Sequence, residues 1–282
     1  MSWALIADSS CNLRGYTPSA PDTIYRFAPL KVNVGGQEYV DDEALDVAEL
    51  NRRVAAEESA TSSACPSVGE WADRFRSADN VIAITISANL SGSYEAAIMA
   101  RDLVLEEDGS RNIFIVNSRA AGGKLELLIV ALDRYLTEHP DATFNEVTAY
   151  ICNVEQSSTV LFLLSSYENL AKAGRMPKVA GMLANKLNIR MLGTASSEGT
   201  IKVLGPARSQ KKAFEKILGS MREDGFQGGD VFIDHVFNEK AAEDLAARIT
   251  AEWPTAKATI LPCGGLCSYY AETDGLIIGY GW

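Results

Sequence analysis

The chain has 282 residues, of which 47% are hydrophobic and 22% charged. That composition supplies ample apolar mass for a core and excludes a disordered chain, a collagen-like fibre and a disulfide-dense miniprotein. With 37 acidic and 26 basic residues the net charge is -11, which repels phosphate backbones and anionic headgroups at long range and argues against a nucleic-acid or membrane-surface role.

The length suits two domains at roughly 150 residues each. The longest strongly apolar stretches, 127–132 and 160–164, are far short of the ~18–20 residues needed to cross a bilayer, so no stable membrane insertion is expected. The start, Met1-Ser2-Trp3-Ala4-Leu5-Ile6-Ala7-Asp8, has no basic segment and meets a carboxylate at once, unlike a secretory signal. The cysteines are Cys11, Cys65, Cys152, Cys263 and Cys267. Their odd number points to reduced thiols and a cytoplasmic location. Cys263 and Cys267 flank Gly264-Gly265, with only His139 and His235 as imidazoles in the chain. Two such ligands do not close a zinc site, so these thiols are expected in the interior and no metal or cofactor is expected.

In chain order, residues 3–7 predict a first strand and 24–34 a second extended stretch, broken at Pro29. Residues 81–86 are β-branched and apolar, as in a strand buried on both faces, and 112–116 repeat that character. Helices are expected over 45–58, 68–77, 92–107 and 120–138, and Ser67 with Glu70 and Thr143 with Glu146 have the capping-box spacing. This rhythm predicts a largely parallel sheet with helices on both faces.

The second half predicts a strand at 159–164, helices at 166–173 and 178–186, and a hairpin of 190–195 and 200–204 around Ser196-Ser197-Glu198-Gly199. A helix at 209–223, a strand at 231–236, a helix at 239–252 and strands at 257–261 and 276–280 follow. The fold class is therefore α/β: an N-terminal parallel-sheet domain, 1–155, and a C-terminal α+β domain, 156–282, with a ligand cleft between them.

The most informative segment is Ile86-Ser87-Ala88-Asn89-Leu90-Ser91-Gly92-Ser93-Tyr94. A buried strand ends, a hydroxyl-rich turn follows and a helix begins, an arrangement that favours anions. Ser91 or Ser93 is able to donate to a carboxylate or phosphate, or Ser91 simply caps the helix. Asp8-Ser9-Ser10, the 61–67 segment and Asn117-Ser118-Arg119 are further polar turns after strands, so the turns should converge on one sheet edge. Arg208 precedes a helix and has the planar fork that suits carboxylates. Arg175 follows a glycine helix end, as a structural pin or a partner contact.

An enzyme using Ser91 or Ser93 for acyl or phosphoryl transfer is the alternative. The chain lacks Gly-x-Ser-x-Gly, a phosphate-binding P-loop and the dinucleotide glycine pattern, and only His139 or His235 could serve as a histidine base.

Together, Ala7-Asp8-Ser9, Ala28-Pro29-Leu30, Leu90-Ser91-Gly92-Ser93-Tyr94, Gly174-Arg175-Met176 and Ala207-Arg208 resemble, in this order, the DegV family of bacterial fatty-acid-binding proteins. The resemblance runs from Ala7 to Tyr280. It implies two α/β-type domains with a long-chain fatty acid in the cleft and a non-catalytic carrier role. It also implies presentation of the carboxylate to a fatty acid kinase for acyl phosphate formation. By the same resemblance Ser91, with Gly92 beside it, binds the carboxylate, Ser63 stands where the family has threonine, and Arg208 lies near the headgroup. Three departures accompany it, one being Arg190-Met191 where the family has Lys-Pro. Cys65 replaces a glutamine, and Ala271-Glu272-Thr273-Asp274-Gly275 lacks the family's histidine. Tyr269 or Tyr270, the latter assigned to the site, would supply a hydroxyl in its place.

Overall fold

The computed structural model describes residues 2–176 and 189–282. The helix expected over 178–186 lies outside the described residues. β1 (Trp3–Asp8) and β2 (Thr23–Ala28) run parallel, in register from Trp3 opposite Thr23 to Asp8 opposite Ala28. Pro29 then ends the pairing, as its missing N–H requires, and the chain turns into β3 (Lys31–Val34) and β4 (Gln37–Val40). After α1 (Val47–Ala56), β5 (Ser62–Ala64) pairs antiparallel with β3, completing a small sheet ordered β4-β3-β5. Neither β4 nor β5 was expected, because both are short and polar.

α2 (Val68–Phe75) begins with the expected capping box, Ser67 accepting from the Glu70 N–H while the Glu70 side chain accepts from the Ser67 N–H. β6 (Asn80–Thr85) is buried along its whole length. α3 (Ser93–Glu107) starts at Ser93 with Gly92 in the cap position and no side-chain cap. Ser91 therefore does not occupy the cap position of this helix. β7 (Asn112–Asn117) completes a parallel sheet ordered β2-β1-β6-β7.

α4 (Gly123–Glu138) begins three residues later than expected, because Gly122 has a φ of 63° outside the helical region. α5 (Phe144–Gln156) follows from the Thr143–Glu146 capping box. α4 packs on β1 and β6, and on its other side against the sheet formed by the second half of the chain. Leu5 and Ile82 of the first sheet thereby share one apolar cluster with Leu128 of α4 and Val160 of the second.

That second sheet comprises β8 (Ser158–Leu164), then, after α6 (Glu168–Lys172), β9 (Arg190–Ala195) and β10 (Ile201–Ala207). Beyond α7 (Gln210–Glu223) come β11 (Gly229–His235), α8 (Glu239–Glu252), β12 (Ala256–Pro262), α9 (Gly265–Ala271) and β13 (Leu276–Gly281). The order is β10-β9-β8-β13-β11-β12, with the last strand of the chain inserted between β8 and β11. Only β11 and β12 are parallel. α7 and α8 bury a second apolar cluster against its outer face, with Phe214 and Leu245 over Ile233 and Ile278.

α9 has no counterpart in the sequence reading. Its first N–H groups, those of Gly265 and Leu266, donate to the buried carboxylate of Asp41 at 2.7 and 3.0 Å. Among the described residues no helix is long and apolar enough to cross a membrane.

Candidate ligand-binding site

The C-terminal ends of the parallel strands meet at one edge, the usual ligand edge of such a sheet. Asp8 organises it. Its buried carboxylate accepts from the Ser10 N–H and hydroxyl on one oxygen, and from the Ile86 N–H and the Ser93 hydroxyl, at 2.8 and 2.6 Å, on the other. Burial pushes this carboxyl above its ordinary range, and the hydrogen bonds counter that. The polar turns do converge here, but much of their polarity holds the loops to one another. Ser9 Oγ accepts from the Leu30 N–H, Asn117 Oδ1 from the Ala88 N–H, and the Ser118 hydroxyl donates to the Ala120 carbonyl. Ser93 belongs to this scaffold, being fully buried with its hydroxyl committed to Asp8.

Ser91 and Gly92 face outward, into a polar recess that also contains Arg175 and Thr200. Ser91 is half-buried, and its oxygen accepts from the Ser93 N–H at 3.3 Å. Arg175 donates to the carbonyls of Leu90, at 3.2 Å, and Ala173, at 2.6 Å. Among the described residues no carboxylate pairs with its guanidinium, so its charge remains available to an anion. Arg119 differs, since it forms an ion pair with Glu155, which also holds Lys124 at 2.8 Å.

Leu90, Arg175 and Thr200 are shared between this recess and an apolar cavity lying between the two sheets. The cavity has about 100 Å³ of enclosed space for a water-sized molecule, and about 760 Å³ of empty space once its open mouth is counted. Ala120 and Ala121 line it from the first half, Val160, Phe162 and Ile277 from the second sheet, and Tyr270 from α9. The Tyr270 hydroxyl hydrogen-bonds Ser63 Oγ at 2.8 Å, and that of Tyr269 hydrogen-bonds Thr61 at 2.7 Å. A side chain on Gly92 would lie 3.4 Å from Cys65 Sγ, so the end of β5 abuts the start of α3. Tyr270 thus lines the cavity with Ser63 bonded to its hydroxyl, while Ser91 and Gly92 line the adjoining recess.

Arg208 is not brought there. It is exposed beyond the end of β10, whereas the cavity touches that strand at its beginning, Ile201. At ~3.3 Å per residue the separation along the strand is roughly 20 Å. Arg175 is the guanidinium at the mouth, and the glycine before it was the only local signal. The β9–β10 turn also reaches this edge. Gly199 has a φ of 75° and lies so close to Ser87 that a Cβ would approach its hydroxyl to 2.3 Å. Asn89 donates to the Glu198 carbonyl in the same contact.

The histidines lie elsewhere. His139 follows α4 with its ring tilted against that of Tyr135, centroids 4.6 Å apart, and His235 ends β11, where burial holds it below its ordinary value. Neither lines the recess or the cavity, so neither is placed to activate Ser91. Among the described residues no group of three or more histidine, cysteine or acidic side chains is arranged to hold a metal.

Fold and site define an α/β protein with two main sheets and an apolar chamber beneath a polar mouth that bears an arginine. The chain belongs to the DegV family, whose model, described as an uncharacterised protein of that family, matches residues 2–280. A DegV domain-containing protein of Streptococcus pyogenes serotype M3 is 36% identical over 280 residues, 99% of each chain. Among solved structures, the Streptococcus pneumoniae fatty acid kinase (Fak) B3 protein loaded with linoleic acid is 36% identical. It superposes with a TM-score of 0.96 over 100% of this chain and 99% of its own. A DegV family protein from Eubacterium eligens loaded with heptadecanoic acid is 30% identical, with a TM-score of 0.94 over 99% of both chains.

Proposed function

We propose that this protein is a cytoplasmic, non-catalytic carrier that holds one long-chain fatty acid and presents its carboxylate to a fatty acid kinase for conversion to an acyl phosphate. The acyl tail occupies the apolar cavity. The carboxylate lies at the mouth, held by Ser91, the Gly92 backbone and Arg175, with Ser63 and Tyr270 acting as a hydrogen-bonded pair beside it. The observation that carries the reading is the continuity of the apolar cavity with a recess whose arginine has no carboxylate partner among the described residues. The two solved relatives loaded with fatty acids support it, and the kinase name carried by one of them supports the partner. The five unpaired cysteines fit a reducing compartment.

The energetics agree. Each buried methylene contributes about 0.8 kcal/mol, so a long tail offers on the order of 10 kcal/mol before ordering costs, and few polar contacts are needed. A net charge of -11 does not draw an anion in from a distance, so local donors and the tail must dominate.

Native mass spectrometry of the purified protein, with extraction and identification of what is released, tests the reading. One fatty acid per chain is expected. The Ser63→Ala/Ser91→Ala double variant is expected to hold it at least about tenfold more weakly, since a hydrogen bond to a charged group is worth ~1.5–3 kcal/mol. A protein that emerges empty and takes up no added fatty acid would overturn it.

A further inference from the structure

We propose that Phe162 and Gly193 act as a pair that sets the depth of the apolar cavity, and with it the length of acyl chain the protein accepts. The inference rests on the fatty-acid reading above and concerns specificity within it.

Val160, Phe162 and Leu164 alternate along β8 and all face the cavity, while Leu161 and Leu163 face the opposite core. Phe162 is the largest of the three. Its direct cross-strand neighbours are Gly193 on β9 and Ile277 on β13. Ile277 also lines the cavity, so the β13 side is filled. Gly193 leaves the other side open, and the phenyl ring occupies that opening. A Cβ on Gly193 would lie 2.1 Å from Phe162 Cζ and 2.3 Å from Cε2. The ring is therefore laid down over the β9 backbone instead of standing upright in the cavity.

An aromatic ring covering a cross-strand glycine is a recurrent sheet device, and here it has a geometric consequence. Gly193 is buried, but no positive φ accounts for it. What demands glycine is the ring, together with the Lys202 carbonyl 2.9 Å from the same Cβ position. Any side chain at 193 takes the ring's resting place. Ile277 blocks rotation toward β13, so the ring must rise into the cavity and shorten the space left for the tail.

The test is competition between myristic and stearic acid for delipidated protein, read as the ratio of the two retained. In Gly193→Ala the ratio is expected to move toward myristic acid by about tenfold, the value of roughly two buried methylene groups. Phe162→Trp, which keeps Gly193 but puts a larger ring in the cavity wall, is expected to move it the same way and covers the event that Gly193→Ala fails to fold. Phe162→Ala is expected to move it toward stearic acid. The double variant Phe162→Ala/Gly193→Ala should match Phe162→Ala, because a methyl at 193 no longer meets a ring. A wild-type ratio in Gly193→Ala or Phe162→Trp, or a double variant as shifted as Gly193→Ala, would overturn the pairing. If the wild-type protein retains neither acid, the fatty-acid reading itself has failed.

Discussion

Gly279→Ala is expected to cost on the order of 4 kcal/mol or more, enough to unfold a protein of ordinary stability under mild stress. Gly279 lies in β13, the strand inserted between β8 and β11, where the start of α4 rests directly on the sheet. A Cβ there would fall 2.0 Å from the Gly123 carbonyl carbon, 2.2 Å from its oxygen and 2.2 Å from the Lys124 nitrogen. These are backbone atoms, so no side-chain rotation relieves the clash. The contact is reciprocal, since a Cβ on Gly123 would lie 2.3 Å from the Gly279 nitrogen. Relief requires α4 to lift off the second sheet and take part of the shared core with it. Gly219 in α7 is the control, because its Cβ would meet nothing within 4 Å. Gly219→Ala should be neutral or stabilising by up to ~1 kcal/mol, as expected for glycine replaced within a helix. Urea denaturation followed by circular dichroism compares the two, and a Gly279→Ala midpoint within error of wild type would refute the backbone contact.

Glu126→Gln is expected to make the protein more stable at alkaline pH and to leave it nearly unchanged in mild acid. Glu126 of α4 and Asp234 of β11 are both fully buried, with Asn12 between them. The Asn12 backbone N–H donates to Glu126, its side-chain amide donates to Asp234 at 2.8 Å, and its carbonyl oxygen accepts from the Gly264 N–H at 2.7 Å. Among the described residues, one oxygen of each carboxyl, Glu126 Oε2 and Asp234 Oδ1, has no hydrogen-bond partner. Other charged or titratable neighbours include Tyr25, Arg14, which is bonded to Asp41, and the Cys11, Cys263 and Cys267 thiols. Burial pushes Glu126 up to about 7 from an ordinary 4.5, and Asp234 is raised by burial and by the Glu126 charge.

A carboxyl whose value is raised by folding binds its proton more tightly in the native state. Its contribution is complete below about 4.5 and is lost as the pH rises through about 7. The loss over that window is on the order of 3 kcal/mol. The glutamine amide keeps the acceptor for Asn12 and carries no titrating proton, so the variant should lack this slope. Asp8 is also raised by burial, but it is common to both proteins and cancels in the comparison. Urea midpoints at about pH 5 and about pH 8 supply the test. Parallel pH dependences in the two proteins would show that Glu126 is not the titrating group.

The parts of the fold legible in the sequence are those governed by neighbours along the chain. The unbroken apolar run of β6, the two capping boxes and the Ser196–Gly199 turn each depend on residues a few positions apart. The site was legible to the same extent. A hydroxyl-rich turn between a buried strand and a helix marked Ser91 and Gly92, whereas Ser93 in the same turn proved to be a buried tie to Asp8. Arg175 and Arg208 could not be ranked locally, because each is simply an arginine beside a helix end. Their separation arises from the path of β10, which begins at the cavity and ends far from it.

By itself, then, the sequence determined the alternation of strands and helices, the buried character of the first sheet and the anion-favouring turn, because periodicity, capping and turn chemistry are short-range preferences. Only the tertiary structure decided the short elements and the shape of the site. α9 opens with a glycine that follows a glycine cap and shows no helical stripe, yet its N-terminus is fixed by Asp41, more than two hundred positions earlier. β5 exists because β3 offers it an edge, and Tyr270 reaches the cavity wall and Ser63 because α9 carries it there. Such contacts join residues far apart in the chain, and their energy is realised only after the two sheets have closed on α4.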